Sequence, residues 1–206
     1  MAADVHFMSK HMPASTATPH RPSFLNPHLP LRDNQQIWPR LAPVTRALLS
    51  TDGSFTLLLQ SLSSEDIKPS VLRHQQLRSA GAGLDGCFEE GELLLQRAVL
   101  LKTAQSGRNL VYADSSIAVE RLPAGMQQAL LDGSQPIGLL LRTSRLETYR
   151  ELLDWGVCAD GEADDVKRHL APQDLLYRRY RIDAGGQPLM HICEYFCASL
   201  FAPDER

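Results

Sequence analysis

Two pairs of long runs with alternating apolar faces, each pair joined by a short polar turn, constrain this 206-residue chain more than any other feature. The first pair is Glu92 to Thr103 and Leu110 to Ala118, with Gln105-Ser-Gly-Arg108 between them. The second is Leu175 to Ile182 and Leu189 to Leu200, joined by Asp183-Ala-Gly-Gly-Gln-Pro188. Side chains alternate across a strand, so runs of this kind with glycine-bearing links predict antiparallel hairpins. The helical patterns fall between the hairpins and do not alternate with single strands. The expected class is therefore α+β, a single antiparallel sheet with helices packed around it.

Two charged residues interrupt the apolar faces. One face of the first run reads Leu93, Leu95, Arg97, Val99, Leu101. One face of the last reads Met190, Ile192, Glu194, Phe196. Both charges would point into an apolar interior, where a charge is costly unless paired or hydrogen-bonded. A buried arginine is a planar fork suited to a carboxylate. A carboxyl group in an apolar pocket has a raised pKa and can carry a proton near neutrality. Together they suit a pocket for a small aromatic or cyclohexadiene acid. The plainer alternative is a buried Arg97–Glu194 salt bridge, and pattern alone weighs the two equally.

The remaining sequence sets the frame. Residues 1–38 carry Pro13, Pro19, Pro22, Pro27 and Pro30 and four of the seven histidines, and read as a flexible arm ahead of one domain over 39–206. Pro43 to Leu49 reads as a short helix. Ser54 is a ready N-cap for a second, with Phe55, Leu58, Leu59 and Leu62 at helical spacing. Residues 67–78 read as a strand, and Gly81, Gly83, Gly86 and Gly91 as a loose connection, either a lid or a plain surface loop. Leu122 to Leu131 reads as a helix with Pro123 in its first turn, followed by a helical turn through Ile137–Leu141. Arg145 to Val157 fits helix or strand, and the acidic stretch 158–170 reads as a surface excursion.

A net charge of −3 without a basic cluster gives no sign of nucleic-acid binding. No apolar run approaches the ~20 residues that span a bilayer, and the N-terminus lacks a secretory apolar core. Cys87, Cys158, Cys193 and Cys197 form no CxxC and no zinc spacing, which suggests reduced core cysteines in a cytoplasmic protein. There is no P-loop, no G-x-G-x-x-G and no G-x-S-x-G. His74 and His191 are lone strand histidines, better explained as structural than as catalytic.

Four stretches, in order, carry a resemblance to a known family: Leu49-Ser-Thr-Asp-Gly-Ser-Phe-Thr56; the strand with Arg97; Gln135-Pro-Ile-Gly-Leu139; and Tyr177-Arg-Arg-Tyr-Arg-Ile-Asp183 turning into Pro188-Leu-Met-His-Ile-Cys-Glu-Tyr-Phe196. Over residues 41–201 the chain resembles the chorismate pyruvate-lyases, in particular a divergent branch found in cyanobacteria and some other bacteria. The resemblance implies an antiparallel sheet whose ligand pocket is closed by helical flaps. It implies that Arg97 binds the ligand carboxylate, that Glu194 lies at the ligand's other end and that Ile137 lines the pocket. Phe55 stands where well-known members have a methionine that contacts the ligand.

The implied reaction converts chorismate to 4-hydroxybenzoate and pyruvate without metal or organic cofactor, in a monomer, and supplies the ring of ubiquinone or plastoquinone. Loss of the ring proton beside the ether carbon, with departure of the enolpyruvyl group, makes the ring aromatic. The protein then has mainly to orient the substrate and manage one proton. The rival expectation is a sensor of the same fold, which binds an aromatic acid without chemistry. Regulators of that kind carry a winged helix-turn-helix ahead of the sensor, which the proline-rich arm does not resemble.

Overall fold

The computed structural model describes residues 36–81, 87–132, 137–158, 164–170 and 174–201. Its centre is one six-stranded, wholly antiparallel sheet in the order β1-β2-β3-β6-β5-β4. The strands are β1 (Ile67–Ala80), β2 (Glu90–Thr103), β3 (Asn109–Ala118), β4 (Tyr149–Val157), β5 (Leu175–Ala184) and β6 (Gln187–Cys197). Two three-stranded meanders thus meet where β3 pairs with β6, which makes those two strands the middle of the sheet. Both expected hairpins are present. The β5–β6 turn is the pair Gly185-Gly186, with φ of 58° and 77°, a left-handed conformation that glycine adopts without the Cβ penalty.

Four helices cover one face of the sheet. Proline in the first turn starts α1 (Pro43–Ser50), which buries Thr45, Leu48 and Leu49. The expected cap is present in α2 (Phe55–Ser63), where the Ser54 hydroxyl accepts from the Leu57 N–H and Ser64 ends the helix at φ 56°. After β3 come α3 (Ala124–Leu131) and α4 (Ile137–Thr143). The two pairs build two apolar clusters on the same face. Leu48, Leu49, Phe55 and Leu59 pack with Val99, Leu101, Ala113 and Phe196. Met126, Leu130, Leu140 and Leu141 pack with Leu95, Ile117, Ile182, Met190 and Ile192. A seam runs between these two clusters.

Two segments differ from expectation or resolve it. The ambiguous stretch before Val157 is the edge strand β4. A register shift between Leu152 and Asp154 breaks its alternation: Leu152 and Trp155, three residues apart, both pack in the first apolar cluster, and the strand period is lost from the sequence. The described part of the acidic stretch is not a surface excursion. A short helix, α5 (Asp164–Lys167), sets Val166 and Leu170 against Ala98, Leu100, Tyr112 and Leu175 on the sheet's second face. Its charged residues face water while two apolar ones anchor it.

Residues 1–35 of the expected arm, Gly83 and Gly86 of the glycine-rich connection, and Gln135-Pro136 lie outside the described residues. Trp38, next to the arm, packs on Trp155 with ring centroids 5.1 Å apart. None of the four cysteines forms a disulfide. Among the described residues no helix is long and apolar enough to cross a membrane.

Candidate functional site

A cavity with about 560 Å³ of empty space, its open mouth included, lies in the seam. Its floor is one face of five adjacent strands: Arg97, Val99 and Leu101 from β2, Ala113 and Ser115 from β3, Ile192 and Glu194 from β6, Tyr180 and Ile182 from β5, and Arg150 from β4. Its roof is Phe55 and Thr56 of α2 with Ile137, Gly138 and Leu141 of α4. The two roof helices meet closely: a Cβ on Gly138 would stand 3.8 Å from the Thr56 hydroxyl and 3.9 Å from that of Ser54. Arg97, Glu194, Ile137 and Phe55, the four candidates read from the sequence, thus line one cavity. None of Gly81 and residues 87–92, which flank the glycine-rich connection, lines it.

Arg97 is 1 % exposed. Burial holds its guanidinium below the ordinary value, so an anionic ligand would offset a desolvation already incurred. Its backbone is fixed from β3, where the Ser115 hydroxyl donates to the Arg97 carbonyl at 3.0 Å. Sheet register sets its distance from Glu194. Arg97 stands opposite Ser115, and Ser115 opposite Ile192, so Glu194 is two strands across and two residues along. At ~4.8 Å per strand and ~3.4 Å per residue the two Cα atoms are about 12 Å apart. Val99 and Ala113 form the apolar floor between them.

The salt bridge of Glu194 is with Arg178 and not with Arg97. Arg178 is its cross-strand partner on β5, and Arg178 Nε donates to Glu194 Oε2 at 2.7 Å. The Tyr180 hydroxyl donates to Oε1 at 3.0 Å. The buried carboxyl read from the sequence is thus ion-paired, with Arg178 as its partner. Donors hold both oxygens, and the group faces the cavity as an oriented acceptor. Burial, then the neighbouring Glu194 charge, push the Tyr180 phenol well above its ordinary range, so it stays a donor.

Arg178 does more than pair. Its Nη1 donates to the carbonyls of Leu48 at 2.7 Å and Thr51 at 3.0 Å, satisfying the end of α1. Its guanidinium carbon lies 4.0 Å from the Phe55 ring centroid. One side chain thus joins the sheet, the α1–α2 turn and the roof. Phe55 also packs on Phe196, with centroids 5.9 Å apart.

The sequence reading missed Arg178, Tyr180 and Arg150. Alternation along β5 does place Leu176, Arg178, Tyr180 and Ile182 on one face, all buried. The signal was masked because Tyr177-Arg-Arg-Tyr-Arg181 looks like a solvated strand. Arg150, on the edge strand, lies over the Tyr180 ring at 4.8 Å from its guanidinium carbon. Its Nη1 donates to the Asp52 carbonyl at 2.8 Å and also to that of Gly53.

His74 stands opposite Arg97 in the register but does not line the cavity, and His191 is buried on β6's other face. Among the described residues no cluster of three His, Cys, Asp or Glu side chains is placed to hold a metal ion.

Residues 49–202 match the family model described as chorismate pyruvate-lyase Rv2949c-like. A chorismate pyruvate-lyase of Mycobacterium leprae is 33 % identical over 168 residues, covering 78 % of this chain and 77 % of that protein. One from Mycobacterium tuberculosis H37Rv is 30 % identical over 183 residues, covering 78 % and 84 %. Among solved structures, the effector domain of PhnF from Mycobacterium smegmatis superposes with a TM-score of 0.51 at 14 % identity, covering 70 % of this chain and 88 % of that one, a likeness of fold.

Proposed function

Because this chain belongs to the chorismate pyruvate-lyase Rv2949c-like family, we propose that it removes the enolpyruvyl side chain of chorismate and releases 4-hydroxybenzoate and pyruvate. The observation that carries the reading is the floor of the cavity. A buried arginine and a buried carboxylate face the same space, separated by two apolar residues and not paired with each other. Arg97 would hold the ring carboxylate through its planar fork. An aromatic ring would then lie over Val99 and Ala113 and bring its para hydroxyl and the adjacent ether towards Glu194.

In this reaction the ring proton is lost beside the ether carbon, the ether C–O bond breaks and the electrons of the C–H bond complete the aromatic sextet. The departing enolpyruvyl group takes up a proton to become pyruvate. Glu194 accepts a hydrogen bond from the ring hydroxyl, or carries the proton between ring and leaving group. Its fixed orientation, with Arg178 on one oxygen and Tyr180 on the other, suits either role. Phe55 and Ile137 keep water off the reacting atoms from above. The protein would act as a monomer, and its aromatic product would feed construction of a quinone ring.

The test is direct. Purified protein incubated with chorismate should produce 4-hydroxybenzoate and pyruvate in equal amounts. Arg97→Ala and Glu194→Gln should each lower kcat/KM by about 100-fold or more, the scale of losing one oriented electrostatic group. Near-normal turnover in both variants would show that the site is misassigned. Tight binding of 4-hydroxybenzoate by wild-type protein that never turns chorismate over would instead establish a sensor.

A further inference from the structure

Arg97 accounts for one anionic group of the ligand, yet the charge around the cavity is too positive for one. Among the described residues, Arg97 and Arg150 line the cavity, Arg178 is paired behind it, and Glu194 is the acidic side chain that lines it. Two arginines lining one cavity, with Glu194 already paired to Arg178, suit a dianion. A monoanion such as 4-hydroxybenzoate would leave one charge uncompensated.

We propose that Arg150 is the anchor for the second carboxylate of the substrate, the one on the enolpyruvyl arm. This rests on the lyase reading above and deepens it. Order across the sheet carries the geometry. From β2 to β4 the floor presents Arg97, then Glu194 on β6, then Tyr180 on β5, then Arg150. A ring whose carboxylate is on Arg97 and whose para hydroxyl faces Glu194 carries its ether at the neighbouring carbon. The arm therefore extends past Glu194, over Tyr180, and its carboxylate arrives where the Arg150 guanidinium lies over the Tyr180 ring.

The hydrogen bonding of Arg150 leaves room for this. Nη1 is engaged by the Asp52 and Gly53 carbonyls. Nε is buried and has no acceptor among the described residues. The edge formed by Nε and Nη2 is the edge that grips a carboxylate with two parallel bonds, and a buried donor without an acceptor is costly until a ligand supplies one. Because Nη1 holds the turn that leads into α2, the same residue would link arrival of the arm to the placing of Phe55 and Thr56 above the ring. The anchor serves chorismate and the departing pyruvate, but not 4-hydroxybenzoate, so Arg150 separates substrate from aromatic product.

The experiment compares wild type, Arg150→Gln and Arg150→Lys by the KM for chorismate and the inhibition constant for 4-hydroxybenzoate. Arg150→Gln should raise KM by about 10- to 100-fold, the size of a lost charge-assisted contact. The 4-hydroxybenzoate constant should stay within about threefold, because that ligand has no second carboxylate. Arg150→Lys keeps the charge without the two-pronged edge and should recover part of the loss. It also keeps the test readable if Arg150→Gln does not fold. Parallel rises in both constants would mean that Arg150 only braces the turn, and unchanged constants would mean that it touches no ligand. Either result overturns the assignment while leaving the lyase reading standing. Wild-type protein that fails to bind chorismate at all overturns both.

Discussion

Replacing Arg178 by methionine should be among the most destabilising single changes in this protein. Methionine keeps much of the stem volume, so the effect comes mainly from charge and hydrogen bonds. Arg178 is fully buried and its partner Glu194 is 6 % exposed at the side chain. Removing one member of such a pair leaves an uncompensated buried charge, at a cost of about 3–5 kcal/mol. The Leu48 and Thr51 carbonyls lose their donor as well, adding about 1 kcal/mol where water does not replace it. A total of about 4–6 kcal/mol is a large share of the roughly 5–15 kcal/mol that holds a domain folded. For a chain of this size the melting temperature should fall by about 10–20 °C.

Glu194→Gln placed on top of Arg178→Met removes the stranded charge, so the double variant should recover about 2 kcal/mol relative to Arg178→Met alone. A double-mutant cycle by urea unfolding measures this. A cost under about 1 kcal/mol for Arg178→Met, or strictly additive effects in the double variant, would refute the view that Arg178 exists to hold the Glu194 charge.

Two further outcomes follow from the fold. Glu65 accepts from the Ser106 N–H and hydroxyl and from the Gln105 N–H, and these bonds hold its carboxyl below the usual carboxylate value. A folded-state pKa below the unfolded one gives stability that is present above the unfolded value and lost as pH falls. The urea midpoint of wild type should therefore exceed that of Glu65→Gln at neutral pH, and the gap should close on acidification through about pH 4. In the β5–β6 turn, a Cβ on Gly186 would meet nothing within 4 Å, so the cost of Gly186→Ala is that of the left-handed backbone alone. It should be about 1 kcal/mol, a fall of about 2–4 °C in melting temperature, with Gly186→Asn closer to wild type.

Much of the local structure was legible because it depends on nearest neighbours. Alternation placed Arg97 with Leu95 and Val99, and Glu194 with Ile192 and Phe196, on buried faces. Gly185-Gly186 marked the hairpin turn and Ser54 the start of α2 for equally local reasons. Where the local signal was corrupted the reading stalled: the register shift in β4 left helix and strand indistinguishable. Two apolar anchors among acidic residues hid the packing of α5.

What the sequence could settle by itself is which face of a strand a residue occupies, since that follows from a period of two. It could not settle which residue of another strand stands opposite. Three arginines lie within five residues of β5; alternation puts Arg178 on the face of Leu176 and Ile182, but nothing local says which group it meets there. Pairing with β6 decides it, by setting Arg178 against Glu194. The β3–β6 pairing likewise joins the two meanders and sets Glu194 two strands across from Arg97, with β3 between them. That separation converts two anomalous charges into opposite walls of a cavity. Register is a property of the assembled sheet, and only the tertiary structure fixes it.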